Sequence, residues 1–297
     1  MRILVLGAMG QIATALSHAG KRTNMEIVTG GRPLLDVTRH ETIAKAILEV
    51  HPDLVINAAA YTAVDDAETH WAETFLVNET GAANAASAAA HVNLPFIHLS
   101  TDYVFDGMKK TPYVESDVPA PCNVYGMSKL AGEDSVRAKH PAALVVRMGW
   151  IYSERGRNFL CSMLRLAREK EEVAVVDDQI GCPTFAGDAA DGILELAQAI
   201  VREPLEGHLT LHMAGPDYAT RFDLAQEIFL RAKPLGLAVA RVKRINSSQF
   251  PLPARRPANS RLSSEQLARL YEIRLPAWRD GLARCMSSLA HNPTDFA

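Results

Sequence analysis

The sequence predicts an α/β fold in which helices cover both faces of a doubly wound parallel sheet, with a smaller discontinuous lobe towards the C-terminus. Short apolar runs alternate with helix-like segments over the first 150 residues, and the first run ends in a glycine-rich turn, Gly7-Ala8-Met9-Gly10. Strands that alternate with helices form parallel pairs joined by right-handed crossovers. Past Trp150 the alternation becomes irregular, which indicates where the second lobe begins.

Five short apolar runs predict strands of the sheet, at residues 2–6, 26–29, 54–57, 96–99 and 143–147. Their nearly continuous apolar character is typical of strands that are buried on both faces. Helices are predicted between them, at residues 11–19, 38–50, 74–91 and 124–139. Thr38 and Glu41 have the spacing of a capping box, so we expect the second helix to begin there. The third helix is rich in alanine, which favours close packing on a sheet.

The second half of the chain predicts a looser set of elements. Helical patterns cover residues 158–169, 187–201, 222–232, 263–270 and 278–289, and strand-like runs cover residues 173–176 and 208–213. The stretch 247–260 is rich in proline and arginine and should be irregular. Such a stretch inside a compact chain is more often functional than idle, because binding residues concentrate on loops.

Composition excludes several classes of protein. The chain has 297 residues, of which 48% are hydrophobic and 22% charged, and its net charge is −3. This balance gives no electrostatic case for a nucleic acid or an anionic membrane as partner, and no apolar run approaches the ~20 residues of a membrane span. The four cysteines are scattered and the ten histidines form no ligand cluster. We therefore expect a cytoplasmic protein without a disulfide framework or a metal site.

The turn after the first strand is typical of a Rossmann-like dinucleotide site. Gly7 and Gly10 are followed by Gln11, Ile12 and Ala13 at the start of a helix. Glycine lets the backbone approach a pyrophosphate, and the helix N-terminus supplies amide donors and the positive end of its dipole. An ordinary strand-to-helix turn is the alternative, but the position of the turn and the alternation that follows it favour the dinucleotide.

The end of the second predicted strand bears on which dinucleotide binds. An acidic residue there would bind the ribose 2′-hydroxyl of NAD, whereas an arginine pairs with a 2′-phosphate. The chain has Arg32 at this point, so we expect NADPH as the cofactor. The alternative is that Arg32 is a solvated loop arginine, and NADH stays possible as the cofactor. Asp36 is a second candidate for a ribose contact, although it lies close to the next helix.

The element order and the dinucleotide turn together predict two lobes. The dinucleotide-binding lobe would comprise residues 1–150 and about 186–214, because both segments contribute strands to the sheet. The substrate lobe would comprise about 151–185 and 215–297.

Tyr125 and Lys129 lie four residues apart on one predicted helix, and therefore on one face of it. A free phenol has a pKa of ~10, and a nearby ammonium group favours the phenolate. We expect Lys129 to lower the pKa of Tyr125, which would then donate its proton to a carbonyl oxygen as a hydride reaches the carbon. Thr101 ends a predicted strand, where its hydroxyl can orient the same oxygen. Coincidence is the alternative, because such helix pairs are frequent.

Longer strings resemble one family of reductases. The nucleotide turn, the strand-end Ser-Thr and the Tyr-x-x-x-Lys pair look like an extended short-chain dehydrogenase/reductase. The segments NAAAYTAVD (57–65), STDYVFDG (100–107), NVYG (123–126), DQIGCPT (178–184) and RPANSRL (256–262) closely resemble those of dTDP-4-dehydrorhamnose reductases. The resemblance covers nearly the whole chain. It implies reduction of the 4-keto group of dTDP-4-dehydro-L-rhamnose to dTDP-L-rhamnose, with a nucleotide sugar as the partner molecule.

The resemblance also implies roles for particular positions. The implied catalytic residues are Thr101, Tyr125 and Lys129. The residues implied to contact the cofactor are Gly7, Gly10, Gln11, Ile12, Ala58, Ala59, Ala60, Tyr125 and Lys129. The residues implied to face the nucleotide sugar are Thr62, Val64, Asp102, Tyr103, Trp150, Gln179, Arg256, Asn259 and Ser260. A guanidinium matches phosphate geometry, so Arg256 is a sensible partner for the diphosphate. The alternatives are that Trp150 is a core residue, Gln179 a loop amide and Arg256 a surface cation.

The chain departs from the family pattern at three places. Ala13 replaces the usual third glycine, and Met148-Gly149 replaces a Thr-Ser pair before Trp150, which removes two hydroxyls near the nicotinamide or the sugar. Some members form a magnesium-linked dimer through glutamates, one of them early in the first helix, where this chain has Thr14-Ala15. We therefore expect no magnesium-linked dimer, and a homodimer of another kind stays open.

These departures leave two other functions open. One is a reductase or epimerase of a different nucleotide 4-keto-6-deoxysugar, which the Met148-Gly149 pair motivates. The other is a non-catalytic NADP-binding regulatory subunit, which would have no need for Thr101, Tyr125 and Lys129 together.

Overall fold

A computed structural model of the chain describes residues 1–291, with the side chains of residues 1–289. Its centre is a six-stranded sheet in the order β2-β1-β3-β4-β5-β10. These strands are β1 (Arg2–Leu6), β2 (Glu26–Gly30), β3 (Leu54–Asn57), β4 (Phe96–Thr101), β5 (Ala143–Met148) and β10 (Leu209–His212). Every neighbouring pair is parallel. The predicted α/β fold with a parallel sheet is therefore confirmed.

Helices cover both faces of the sheet because its strands are apolar on both sides. Ile3 and Val5 pack in one core cluster with residues of α1 (Gln11–Thr23) and α8 (Ala186–Arg202). Their neighbours Leu4 and Leu6 point the opposite way, as the period of a strand requires. They pack in a second cluster with residues of three helices. These helices are α2 (His40–Val50), α5 (Gly81–His91) and α6 (Val124–Lys139).

The chain changes direction across the sheet at β1, which lies between β2 and β3. Ligands of open α/β sheets bind in the crevice at the carboxyl ends of the strands on either side of such a point. Gly7 follows β1 there, and its amide donates to Gly30 O at 2.7 Å. Gly7 has a φ of 108°, and a Cβ at this position would lie 3.0 Å from Ala59 N, in the loop after β3. Only glycine is accommodated at this turn without strain.

A further core cluster lies outside the sheet. It joins buried residues of α7 (Phe159–Glu169), α9 (Arg221–Ala232) and α11 (Trp278–His291) with β7 (Glu172–Val176). β7 pairs in parallel with β12 (Arg241–Ile245), a strand that the sequence did not predict. The reason is its composition, since Arg241, Lys243 and Arg244 are exposed and no strong apolar alternation marks it.

Short elements complete the fold. They are α3 (Val64–Ala67), α4 (Trp71–Phe75), β6 (Ile151–Tyr152), β8 (Ile180–Gly181), β9 (Thr184–Phe185), β11 (Ala219–Thr220) and α10 (Glu265–Tyr271). β6 pairs with β9 in parallel and β8 with β11 antiparallel. Within residues 1–291, no helix has both the length and the apolar character that crossing a bilayer requires.

The predicted capping box is wrong. α2 begins at His40, and the hydroxyl and amide of Thr38 both donate to Asp36 Oδ1, at 2.9 and 3.0 Å. Because Asp36 accepts both hydrogen bonds in a local turn, the side chain of Thr38 does not cap the helix.

The predicted helix at residues 74–91 is interrupted. It begins earlier, at α4, and passes through a π-helical turn, Leu76–Thr80, before α5. This turn contains the buried Asn78, whose side chain exchanges hydrogen bonds with the backbone of Tyr61 at 2.8 and 3.1 Å. Asn78 also donates to Ser128 Oγ on α6 at 2.9 Å. The turn therefore ties the loop after β3 to α6.

Candidate active site

The nucleotide turn is connected to the loop after β6. Gln11 Oε1 accepts hydrogen bonds from Ser153 Oγ at 2.7 Å and from Asn158 Nδ2 at 3.0 Å. Asn158 also caps α7 through Cys161 N. Sequence reasoning missed Ser153 and Asn158 as neighbours of the turn. The Asn158 cap could have been predicted from the start of the helix, but not its contact with Gln11.

The two residues predicted to recognise the adenosine ribose have different surroundings. Arg32 is exposed, one residue after Gly31, where a Cβ would lie 3.2 Å from Ala8 N. Arg32 therefore lies beside the glycine turn. Asp36 accepts two hydrogen bonds from Thr38, and the backbone one is the main reason that the pKa of its carboxyl is lowered. This carboxylate is therefore already hydrogen-bonded within the local turn of residues 36–38.

Thr101 ends β4 and is held by its neighbours. Its Oγ1 donates to Asp102 Oδ1 at 3.0 Å and accepts from Tyr103 N at 3.2 Å. Asp102 is only 2% exposed, and none of the described residues hydrogen-bonds its Oδ2. Burial raises the pKa of Asp102 to about 6, which nearby Ser260, Thr101 and Arg221 offset only in part.

Tyr125 lies in the first turn of α6. Asn123 caps this helix, because its Oδ1 accepts from Gly126 N at 2.8 Å while its Nδ2 donates to Arg255 O at 2.8 Å. The ring of Tyr103 lies edge-on to that of Tyr125, with centroids 6.0 Å apart. The cap and the ring contact orient the phenol towards the end of β4.

The expectation that Lys129 lowers the pKa of Tyr125 is wrong for this structure. Burial raises the pKa of Tyr125, and the hydroxyl of Thr101 acts in the opposite direction. Lys129 Nζ instead donates to Leu99 O at 2.7 Å and lies 3.3 Å from His98 Nε2. Burial lowers the pKa of Lys129 to about 8, partly opposed by the carboxylate of Glu133. A raised pKa keeps the phenol protonated, which is the form that a proton donor needs.

A buried ion cluster fixes the middle of α6 to the sheet. Glu133 is fully buried and accepts from Arg147 Nε and Nη2 at 2.8 and 2.7 Å. Its carboxylate also accepts from Ser100 Oγ at 2.6 Å and from Arg137 at 2.9 Å. These bonds hold the pKa of Glu133 below its ordinary value, although burial acts in the opposite direction. They join α6 to the ends of β4 and β5.

Arg256 connects the proline- and arginine-rich stretch to α3. Its Nη2 donates to Asp65 Oδ2 at 2.6 Å, and its Nη1 lies 3.4 Å from Tyr103 Oη. Asp65 also accepts from Ala254 N at 3.2 Å. The structure thus brings Arg256 and Tyr103, both predicted from the sequence, to the same side of the site as Tyr125.

Trp150 packs against the core of α7, α9 and α11 and has a φ of 50°. A non-glycine residue in this conformation is uncommon and often marks a functional position. Its Nε1 donates to Ser260 Oγ at 3.1 Å. The guanidinium of Arg221 stacks over its ring, 3.5 Å from the centroid. Sequence reasoning missed Arg221, because the first residue of a helix carries no sign of a distant aromatic partner.

Of the remaining predicted substrate residues, Gln179 and Asn259 form hydrogen bonds with other segments of the chain. Gln179 Nε2 donates to Ser247 Oγ at 2.9 Å. The buried Asn259 donates to Lys109 O and Thr111 O at 2.6 and 3.0 Å, so its amide holds the backbone of that loop. Thr62 is exposed, and Val64 begins α3.

Gly149 explains how the chain accommodates the buried carboxylate of Asp102. A Cβ at Gly149 would lie 2.4 Å from Asp102 Cγ and 2.4 Å from Oδ2, far inside normal contact distance. The lack of a side chain at Gly149 therefore leaves room for the carboxylate.

The site has no obvious metal centre. Among the residues that the structure describes, no group of three or more His, Cys, Asp or Glu side chains is arranged to hold a metal ion. The four cysteines are free thiols.

Comparison with known proteins identifies relatives along the whole chain. Residues 1–291 match the family model described as the RmlD substrate binding domain. The chain is 42% identical over 292 residues to the dTDP-4-dehydrorhamnose reductase of Sinorhizobium fredii, covering 97% of this chain and 98% of that protein.

Two solved structures give the same picture. The dTDP-4-dehydrorhamnose reductase of Clostridium acetobutylicum is 34% identical, with a TM-score of 0.89, covering 97% of this chain and 99% of that one. The reductase of Bacillus anthracis, solved in complex with NADP, is 32% identical, with a TM-score of 0.88 and the same coverage.

Proposed function

Because the chain belongs to the RmlD substrate binding domain family, we propose that it reduces the 4-keto group of dTDP-4-dehydro-L-rhamnose to dTDP-L-rhamnose. NADPH is the proposed cofactor, with NADH as the alternative. The observation that carries this proposal is the grouping of Thr101 with Asp102 at the end of β4 and of Tyr125 with Lys129 on α6. The same activity is named for the relatives described above.

The residues of the glycine turn fit a dinucleotide. Gly7 allows a close backbone approach between β1 and the loop after β3, and the N-terminus of α1 offers free amides to a pyrophosphate. We propose that Gly7, Gly10, Gln11 and Ile12 hold this group. Arg32 would lie at the 2′-phosphate, with Asp36 nearby, and Ala58, Ala59 and Ala60 would lie along the opposite wall. When bound, the nicotinamide supplies the hydride.

The protein side of the reduction is the transfer of one proton. Tyr125 would donate its phenolic proton to the C4 oxygen, and its raised pKa means that the phenol holds this proton at neutral pH. Thr101 would orient the same oxygen through its hydroxyl. Lys129, as an ammonium, would stabilise the phenolate that is left and hold a ribose hydroxyl of the cofactor. The phenolate is then reprotonated from solvent.

The nucleotide sugar would bind between the loop after β3 and the stretch 254–260. We propose Arg256 as the partner of the diphosphate, because its guanidinium already carries the hydrogen-bond geometry that anionic oxygens prefer. The other proposed contacts are Thr62, Val64, Asp102, Tyr103, Trp150, Gln179, Asn259 and Ser260. The bonds of Asn259 to two backbone carbonyls support a positioning role for this residue.

The division into two lobes is also a proposal. The separate core of α7, α9 and α11 supports a substrate lobe of about 151–185 and 215–297, of which residues 292–297 lie outside the described part of the chain. The cytoplasmic location and a homodimer stay predictions.

A different nucleotide 4-keto-6-deoxysugar is the second candidate substrate. One observation favours it, namely that Asp102 fills the space that Gly149 leaves free. This changes the hydrogen-bond groups that the sugar meets, because Gly149 offers no side-chain hydroxyl and the carboxylate of Asp102 lies against it.

Absorbance of the reduced nicotinamide tests the proposal. Purified protein is mixed with NADPH or NADH and with enzymatically generated dTDP-4-dehydro-L-rhamnose, and the product's C4 configuration is determined. We expect Tyr125→Phe to lower turnover at least about a hundredfold with little change in cofactor affinity, as for a positioned acid. Tyr271→Phe, on α10, should retain full turnover. Near-normal turnover by Tyr125→Phe would refute the role of Tyr125, and lack of consumption by the wild type would exclude this sugar.

A further inference from the structure

His98 is a buried residue of the sheet, and its side chain lies beside the proposed catalytic lysine. It lies on β4 with no exposed surface, and Lys129 is only 2% exposed. The Nδ1 atom of His98 lies 3.1 Å from Asn57 Nδ2, and the Nε2 atom of His98 lies 3.3 Å from Lys129 Nζ. The roles assigned to Thr101, Tyr125 and Lys129 make no use of this histidine.

The hydrogen bonds around Asn57 determine which nitrogen of His98 carries the proton. Ala59 N donates to Asn57 Oδ1 at 3.2 Å, so the oxygen of this amide faces Ala59 and its NH₂ group faces His98. An amide NH₂ donates and cannot accept. His98 Nδ1 must therefore accept, and the neutral imidazole carries its proton on Nε2. Burial lowers the pKa of His98 well below its ordinary value, and the charges of Lys129 and Arg137 add to this effect.

The Nε2–H group of His98 therefore points at Lys129 Nζ. An ammonium has three donors and no lone pair, whereas a neutral amine has one lone pair that can accept. Nζ already donates to Leu99 O at 2.7 Å, which a neutral amine can do at the same time. The chain of hydrogen bonds from Ala59 through Asn57, His98 and Lys129 to Leu99 is complete only when Lys129 is neutral.

The charged groups around this pair act in the same direction. Glu133 is the nearest carboxylate on α6, but its oxygens already accept from Arg147 on β5, from Arg137 and from Ser100. It therefore offsets a charge on Lys129 only in part. Asp102, which follows β4, acts on Tyr125. A buried ammonium beside a donor has no full set of partners here, and such a charge is costly.

We propose that His98 is a positioning residue that favours the neutral amine of Lys129 over its ammonium form in the protein alone, by donating from Nε2–H to Nζ. The inference rests on the proposed function, in which Lys129 acts as an ammonium on a cofactor ribose. At a pH where Lys129 is neutral in the free protein, it takes up one proton from solvent as the cofactor binds, and its bond to His98 is exchanged for bonds to the ribose and Tyr125. Cofactor binding is thereby coupled to pH.

The affinity for NADPH as a function of pH tests this coupling, and fluorescence of the reduced cofactor measures it without any sugar. For the wild type, the Kd should be flat below about pH 8, where Lys129 is already an ammonium in the free protein. Above about pH 8 the Kd should rise about tenfold for each pH unit, as one linked proton requires. His98→Gln replaces the obligatory donor by an amide whose oxygen can accept from an ammonium. We expect the rise in Kd to begin at least about one pH unit higher, so that the affinity near pH 10 exceeds that of the wild type about tenfold.

A second variant and a matched control separate this role from a structural one. His98→Asn keeps an acceptor for Asn57 and removes Nε2, so it should move the pH dependence in the same direction as His98→Gln. His212→Gln replaces another fully buried histidine, on β10, and should leave the pH dependence unchanged whatever it does to stability.

Unchanged pH dependence in both His98 variants would overturn the role of His98, even if their affinity fell at every pH. Failure of the wild type to bind NADPH at pH 7 would overturn the proposed cofactor, and the role of His98 with it. Binding with normal turnover but no proton uptake above about pH 8 would leave the reductase standing and reject the inference alone.

Discussion

The buried carboxylate of Asp102 should lower the free energy of unfolding as the pH rises from about 4 to about 6. Asp102 is 2% exposed, its Oδ2 has no hydrogen-bond partner among the described residues, and its pKa is raised from 3.8 to about 6. Between these two values the folded protein keeps a proton that the unfolded chain releases. Rising pH therefore favours unfolding across this window, and above it the penalty stays constant.

The size of the penalty follows from the two pKa values. The difference between 3.8 and about 6, at about 1.4 kcal/mol for each pH unit, amounts to about 3 kcal/mol. Since the group is almost fully buried, solvent screening does not reduce this figure. Asp102→Asn removes the charge at every pH, so the variant should gain on the wild type as pH rises. About 2 kcal/mol of the gain should appear between about pH 4.5 and pH 8.

Urea unfolding of the wild type and Asp102→Asn across this pH range measures the effect. Comparing the two proteins at each pH cancels any constant cost of the new amide. Asp134→Asn is the matched control, because the Asp134 side chain is 69% exposed and its ion pair should contribute less than about 1 kcal/mol. A stability difference for Asp102→Asn that does not change with pH would refute the reasoning and would mean that water reaches the carboxylate. We expect kcat/KM to fall in the same variant, because Asp102 is a proposed substrate contact.

Two glycines near the site give further predictions. A Cβ at Gly126 would lie 2.2 Å from Tyr103 O, so Gly126→Ala must displace the start of α6 by about 1 Å, and turnover should fall about a hundredfold. Gly207→Ala is the control, because among the described residues only Gly207 and its two chain neighbours have atoms within 4 Å of the new Cβ. Equal turnover in both variants would contradict the expected displacement. Gly149→Ser would place its Cβ 2.4 Å from Asp102 Cγ and should raise KM for the sugar at least about tenfold, while the Kd of NADPH, measured by fluorescence, stays within about twofold. An unchanged KM would mean that Asp102 turns away at little cost and does not contact the sugar.

Local sequence patterns were sufficient for the strands of the sheet, and they gave a prediction of the site. β1 and the glycine turn were predictable because a short apolar run and a required left-handed φ at Gly7 leave few alternatives. Tyr125 and Lys129 were predictable as a pair because helix geometry alone places positions i and i+4 on one face. β12 was not predicted, because its exposed arginines and lysine hide the pairing with β7. The capping box failed at short range, because Asp36 competes for Thr38.

The sequence by itself determined the fold class, and it predicted the nucleotide turn and the proposed catalytic residues, because the alternation of apolar runs, the glycine spacing and the motifs can all be identified along the chain. Only the tertiary structure decided what those residues contact. Gln11 meets Ser153, which is 142 positions away, and Arg256 meets Asp65, which is 191 positions away. It also decided the direction of two pKa shifts, since burial raises the pKa of Tyr125 and lowers that of Lys129. Burial and hydrogen-bond partners depend on the packing of distant segments, which no local pattern of residues specifies.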